Sequence, residues 1–203
     1  MSDIWHCDPG LAPLQEAAAR WMILLRTRMD VPPVTFFLQH APGAVLDDRG
    51  HCGGAYAPRQ ITLRADPDHP AYSQGLGEPL LHTLTHEAHH ILRWDGPGYG
   101  ATLGEALVSE GLATAAVPHL WPDAAEPWEH RGPAPSPALC ARAARIWNAP
   151  YDHAAWFFGT GDLPNWTRYR LGHWLVTRRG VDPVAEAARP AHAFEPLLST
   201  EAR

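Results

Sequence analysis

The 203-residue chain contains no lysine, so all 16 of its basic side chains are arginines; 22 acidic residues outnumber them and set a formal net charge of −6. Arg142, Arg145, Arg168, Arg170, Arg178 and Arg179 make only a loose scatter along the C-terminal half. A protein that grips nucleic acid needs a basic stripe to neutralise phosphates, so nucleic acid is not an expected partner. Cysteine is scarce too: Cys7, Cys52 and Cys140 are odd in number, widely spaced and without a Cys-x-x-Cys pair. This pattern excludes a disulfide framework and a thiolate zinc site, and reads as free thiols. No apolar run is long enough to span a bilayer, and Met1-Ser2-Asp3-Ile4-Trp5 lacks the basic and apolar regions of a secretory signal. No membrane partner is expected, and the expected location is the cytoplasm. Internal repeats, heptads and low-complexity tracts are missing, and nothing in the sequence sets an oligomeric state.

Histidine, in contrast, is plentiful, with 13 copies. Four of them fall in Leu81-His82-Thr83-Leu84-Thr85-His86-Glu87-Ala88-His89-His90, which contains a His-Glu-x-x-His signature. Leu80, Leu81, Leu84, Ala88, Ile91 and Leu92 mark an apolar side at helical spacing. Residues four apart on a helix share a face, so His86 and His90 are expected to offer two imidazole nitrogens to one metal ion. Glu87 projects beside them, placed to take a proton from an attacking water. In a chain this rich in histidine the motif arises by chance roughly 4% of the time, so its context has to carry part of the assignment.

A catalytic zinc ion takes three protein ligands and keeps one open position. The best third candidate is Glu110, in Leu107-Val108-Ser109-Glu110-Gly111-Leu112-Ala113-Thr114, separated from His90 by nineteen residues. The breaker cluster Asp95-Gly96-Pro97-Gly98-Tyr99-Gly100 ends the first helix, and Thr102 or a neighbour is expected to cap the next. Glu105 is the rival; it lies five residues earlier and is rotated by about 140° on a helix, so both cannot face one ion. It is expected either to accept a hydrogen bond from a ligating histidine or to lie on the solvent side. His82, one turn before His86, lines the cleft or is a structural histidine, and His89 points elsewhere. For the donor that stabilises a developing oxyanion, Tyr169 is the first choice, with a core role as the competing reading; Tyr99, Tyr151 and His153 are weaker candidates.

These residues resemble the gluzincin metallopeptidases, whose third ligand is a glutamate in a similar Glu-Gly-Phe-Ala or Glu-Gly-Leu-Ala context. More narrowly, the chain resembles a bacterial family of predicted zinc-dependent proteases, DUF2268, through Thr85–His90, Leu107–Ala113 and Pro164-Asn165-Trp166-Thr167-Arg168-Tyr169-Arg170-Leu171-Gly172. The resemblance implies one zinc ion held by His86, His90 and Glu110, with Glu87 as the base. In the last motif the family pattern has glycine before the tyrosine, where this chain has Arg168.

Leu11–Arg28 is expected to form an amphipathic helix, followed by strands at Val34–Leu38, Gly53–Ala57 and Ile61–Arg64, the last two as a hairpin around Pro58-Arg59-Gln60. This order suits an α+β, zincin-like fold: a small N-terminal mixed sheet packed on the active-site helix, with a helical C-terminal lobe. One domain over 1–203 is expected, its lobes at about 1–95 and 101–198. Gly53, Gly54 and Ala55 are the candidate edge strand for pairing with a peptide or protein substrate, because glycine allows close backbone approach. Pro118–Pro137 reads as a loop, Pro137–Trp147, Tyr151–Phe158, Trp166–Arg178 and Asp182–Ala188 as helices, and Ser199–Arg203 as a frayed tail. The function expected is peptide hydrolysis with Glu87 as general base and acid. A different class competes: a non-catalytic module in which zinc supports the fold or a peptide-binding groove. A third reading is a processing protease that cuts one specific partner.

Overall fold

The structure, a computed structural model, describes residues 2–124 and 134–199. The described chain is α+β and divides into two compact units, Met1–Asp95 and Gly96–Arg203.

The first unit holds strand β1 (Ile4–Cys7), helix α1 (Ala12–Leu25), strands β2 (Thr35–His40), β3 (His51–Ala57) and β4 (Gln60–Ala65), the single turn α2 (Tyr72–Gly75) and the long helix α3 (Glu78–Trp94). The sheet order is β1-β2-β4-β3; β1, β2 and β4 run parallel and β3 returns antiparallel on β4, so the sheet is mixed. Phe36 and Leu38 of β2 and Ile61, Leu63 and Ala65 of β4 point into the core, as the two-residue period of a strand requires. The hairpin turn passes through Pro58 and Arg59, and Arg59 takes a left-handed φ of 56°. Strand β1 is absent from the sequence expectation. It is short and mostly exposed, and it is held by parallel pairing to β2 and by Trp5 stacked on Phe36 with centroids 4.1 Å apart.

Helix α1 buries Leu14, Ala17, Ala18, Met22 and Leu25, one apolar stripe at helical spacing, and packs against α3. Just past its end, Arg26 grips the Asp3 carboxylate with two hydrogen bonds of 2.7 and 2.8 Å, tying the helix to the start of β1. Helix α3 starts behind Pro79 in its first turn and packs on both α1 and β3. Every residue from Thr83 to Ile91 is buried, polar ones included. A helix buried on all sides with histidine and glutamate inside it must find partners for those groups.

The second unit is built on helix α4 (Leu103–Leu120), followed by α5 (Pro137–Arg145), α6 (His153–Phe158), α7 (Thr167–Arg179) and two short 3-10 turns at Ala191–Ala193 and Glu195–Leu198. Thr102 and Glu105 close α4 with a reciprocal capping box, as the sequence suggested for Thr102. The backbone N–H groups of Leu103 and Gly104 go to the carbonyls of Ala149 and Trp147, at 3.1 and 2.8 Å, so further donors of this helix end are satisfied. The core gathers Leu107, Leu112, Trp147, Trp156, Leu171, Leu175 and Phe194 around α4 and α7.

The helix expected at Asp182–Ala188 does not form; the segment is a series of turns. The Asp182 carboxylate accepts from the N–H of Val184 and Ala185, and Ala187 and Arg189 bond back three residues to Val184 and Glu186. Local side-chain acceptors of this kind compete with helix propagation in so short a segment. Residues 125–133 of the expected Pro118–Pro137 loop and 200–203 of the expected tail lie outside the described residues. Among the described residues no helix is long and apolar enough to cross a membrane, and Cys7, Cys52 and Cys140 are free thiols.

Candidate functional site

The residues expected at the site fall in both units. In the first, His86 and His90 stand one turn apart on α3, both buried, with their Nε2 atoms 3.1 Å apart and the rings nearly perpendicular at 79°. Two nitrogens bound tetrahedrally to one zinc at about 2.0–2.1 Å would lie about 3.3 Å apart. The pair therefore fits one ion without rearranging the helix. Glu87 follows His86 and is also buried. His82, a turn earlier, is half-buried, and His89 is fully buried.

Strand β3 stands at one edge of the sheet, bonded to β4 alone among the described strands. It lies against α3, and Gly53 is the point of closest approach: a Cβ there would sit 2.8 Å from both Glu87 Cγ and Thr83 Cγ2. The glycine is required by the helix beneath it. Gly53→Ala must push Glu87 or the strand aside and should destabilise the protein by about 1–3 kcal/mol, read as a lower midpoint in chemical denaturation; an unchanged midpoint would mean that the two elements have slack. Beyond Gly53 the strand is irregular, with a break in register between Gly54 and Ala57. The Tyr56 ring folds over Gly54, and the Ala55 carbonyl accepts a 3.0 Å hydrogen bond from the Trp94 indole. Of the three residues named as the edge, Ala55 thus has its carbonyl engaged by the helix. Thr83 also takes part in a buried network, its hydroxyl 3.2 Å from His51 Nε2, with Arg49 alongside.

In the second unit Glu110 is 2% exposed, in the third turn of α4. Its Oε1 accepts hydrogen bonds from the Tyr99 hydroxyl and from Nη2 of Arg168, and the same Nη2 donates to the Tyr99 oxygen. Burial, and then the neighbouring carboxylate, hold the Tyr99 phenol well above its ordinary pKa, which keeps it a donor. Burial works against the charge on Arg168, but Glu110 and the surrounding tyrosines Tyr99, Tyr169 and Tyr151 together outweigh it and hold the guanidinium above its ordinary pKa. Glu105 is occupied at the helix end: its Oε2 accepts from the N–H groups of Ala101 and Thr102 and from the Thr102 hydroxyl. Tyr169, half-buried on α7, packs edge-on to Phe157 and Trp166 with centroids 5.4 Å away. The residues that engage Glu110 are Tyr99, a weaker candidate from sequence, and Arg168, there counted among scattered surface charges.

The class defined by these features is that of an α+β protein with two buried histidines one turn apart on one helix and a buried glutamate, held by a tyrosine and an arginine, on another. The family model described as "Predicted Zn-dependent protease (DUF2268)" matches residues 13–180, and the chain belongs to that family. No curated protein and no solved structure matches the chain.

Proposed function

We propose that the protein is a zinc metallopeptidase of gluzincin type, with His86, His90 and Glu110 as ligands of one zinc ion and Glu87 as general base and acid. The observation that carries this reading is the convergence of the two imidazole Nε2 atoms at 3.1 Å on α3, with Glu87 next in sequence and facing edge strand β3 at Gly53. Membership of a family described as zinc-dependent proteases supports it. Glu110 brings the carboxylate that a two-histidine site needs to bind zinc and still leave a position open.

Zinc held there would supply Lewis acidity, polarising a peptide carbonyl and acidifying water. Glu87 takes the proton from the attacking water and returns it to the departing amine. The edge of strand β3 at Gly53 and Gly54 is where an extended peptide would add main-chain hydrogen bonds with few demands on its sequence; Ala55, the third residue of that edge, has its carbonyl taken by the Trp94 indole.

The test is metal content by elemental mass spectrometry on protein purified without added metal. About one zinc per chain is expected in the wild type and in Glu105→Ala, and none in His90→Ala or Glu110→Ala. A wild type that stays empty after reconstitution with zinc would overturn the reading. Zinc retained in Glu110→Ala would remove Glu110 from the ligand set.

A further inference from the structure

We propose that Arg168, together with Tyr99, is a positioning residue that holds Glu110 through its Oε1, so that the carboxylate is presented to the metal in a fixed orientation. This inference rests on the reading of Glu110 as a zinc ligand and extends it to residues that would not touch the ion.

Arg168 is fully buried, which is rare for an arginine and costly unless its donors are used. Its Nη2 meets Glu110 Oε1 and the Tyr99 oxygen, and its Nη1 donates to the Tyr151 hydroxyl at 2.8 Å. The guanidinium carbon lies over the Phe157 ring, 3.1 Å from the centroid. Arg168 is therefore fixed from three sides by α6, by the segment before it and by the loop that carries Tyr99. A planar fork held in this way imposes both a place and a direction on the carboxylate it binds, which a flexible ammonium could not. Tyr99 adds a second donor to the same oxygen. With Oε1 held by two donors, the place of the Glu110 carboxylate is set by its neighbours in this unit.

The anchor is built into the helix crossing. Gly172, one turn after Arg168 on α7, packs on the backbone of α4 at Leu107 and Gly111, and Gly111 directly follows Glu110. A Cβ on either glycine would strike the opposing backbone, so the two helices cross at close range next to the Arg168–Glu110 pair. Partners that orient a metal ligand in this way contribute about 10–100-fold to metal affinity when they are removed singly.

The experiment is zinc affinity, by competition with a chromogenic chelator, on the full chain. The variants are Glu110→Gln, Arg168→Met, Arg168→Lys, Tyr99→Phe and the doubles that combine each of the last three with Glu110→Gln. Arg168→Met is expected to weaken zinc binding about 10-fold or more, and Tyr99→Phe and Arg168→Lys by smaller factors. In the Glu110→Gln background the same changes should have no further effect, because the side chain the clamp then holds is an amide and no longer a carboxylate ligand. The visible spectrum of the cobalt(II)-loaded protein should shift in Arg168→Lys and Tyr99→Phe, reporting altered ligand geometry. If Glu110→Gln binds zinc like the wild type, the ligand reading falls and this inference with it. If Glu110→Gln is weakened but the Arg168 and Tyr99 variants bind as the parent does, or more tightly, the clamp is overturned while the ligand reading stands. Equal losses in both backgrounds would make the role one of general folding and would also overturn it. Should Arg168→Met fail to fold, Tyr99→Phe and Arg168→Lys decide by the same comparison.

Discussion

Glu87→Gln is expected to bind zinc as the wild type does and to lose about 100-fold to 10,000-fold in peptide hydrolysis. The substitution keeps the size and shape of the side chain, so the buried position against Gly53 is filled as before. It removes the one property the proposed reaction asks of residue 87, the capacity to accept a proton and give it back. Because Glu87 is not among the proposed ligands, the metal content of the variant should match the parent. The measurement is cleavage of a mixed fluorogenic peptide library, with zinc content determined on the same samples. A variant that holds zinc and cleaves as fast as the parent would remove Glu87 from the chemistry and transfer the base role to another group. Loss of zinc along with activity would mean that residue 87 holds the metal site together.

Gly172→Ala should cost at least about 2–3 kcal/mol of stability, at the upper end of what overpacking in a core produces. In a chain of this size that corresponds to a fall in Tm of about 5–10 °C. The added methyl group would meet the Leu107 carbonyl and the backbone of Gly111, and backbone cannot rotate away as a side chain does. The helices α4 and α7 would have to move apart along a contact that organises the core around Leu107, Leu171 and Leu175. Gly111→Ala, which meets Gly172 from the other side, should behave alike. The double variant should cost less than the sum of the two, since both methyl groups relax the same contact. Thermal unfolding followed by circular dichroism reads all three. A Tm within about 1 °C of the parent for either single variant would mean that the crossing is looser than its geometry indicates.

Much of the local structure that carries the candidate site was legible because its signals are local. The His-Glu-x-x-His run declares its helix through periodic leucines, and α3 forms as expected. Thr102 caps α4 as expected, but its partner in the reciprocal cap is Glu105, which the sequence had offered only as a histidine's acceptor or a solvent-side charge. The hairpin β3–β4 follows from two apolar runs around Pro58 and Arg59. What escaped depends on pairing distant in sequence. Strand β1 is four residues with little apolar pattern, and its partner β2 lies some thirty residues away. Arg168 has the look of a helix-surface charge; only the fold shows that α7 turns it inward to Glu110, fifty-eight positions earlier. Tyr99 sits in a run of glycine and proline that advertises a turn and hides a side-chain role. Asp182-Pro183 imitates a helix start, but the Asp182 carboxylate satisfies a turn instead.

The capping box at Thr102 also acts as an index mark. Glu110 is the eighth residue of α4, so its bearing is counted from a fixed start. A residue inserted among 95–98, ahead of Tyr99, would be absorbed by the loop and leave that bearing alone. The same residue inserted between 103 and 110 would swing the carboxylate by about 100° and advance it by about 1.5 Å, out of phase with Arg168. Length variation is thus tolerable ahead of Tyr99 and disabling within the first turns of α4.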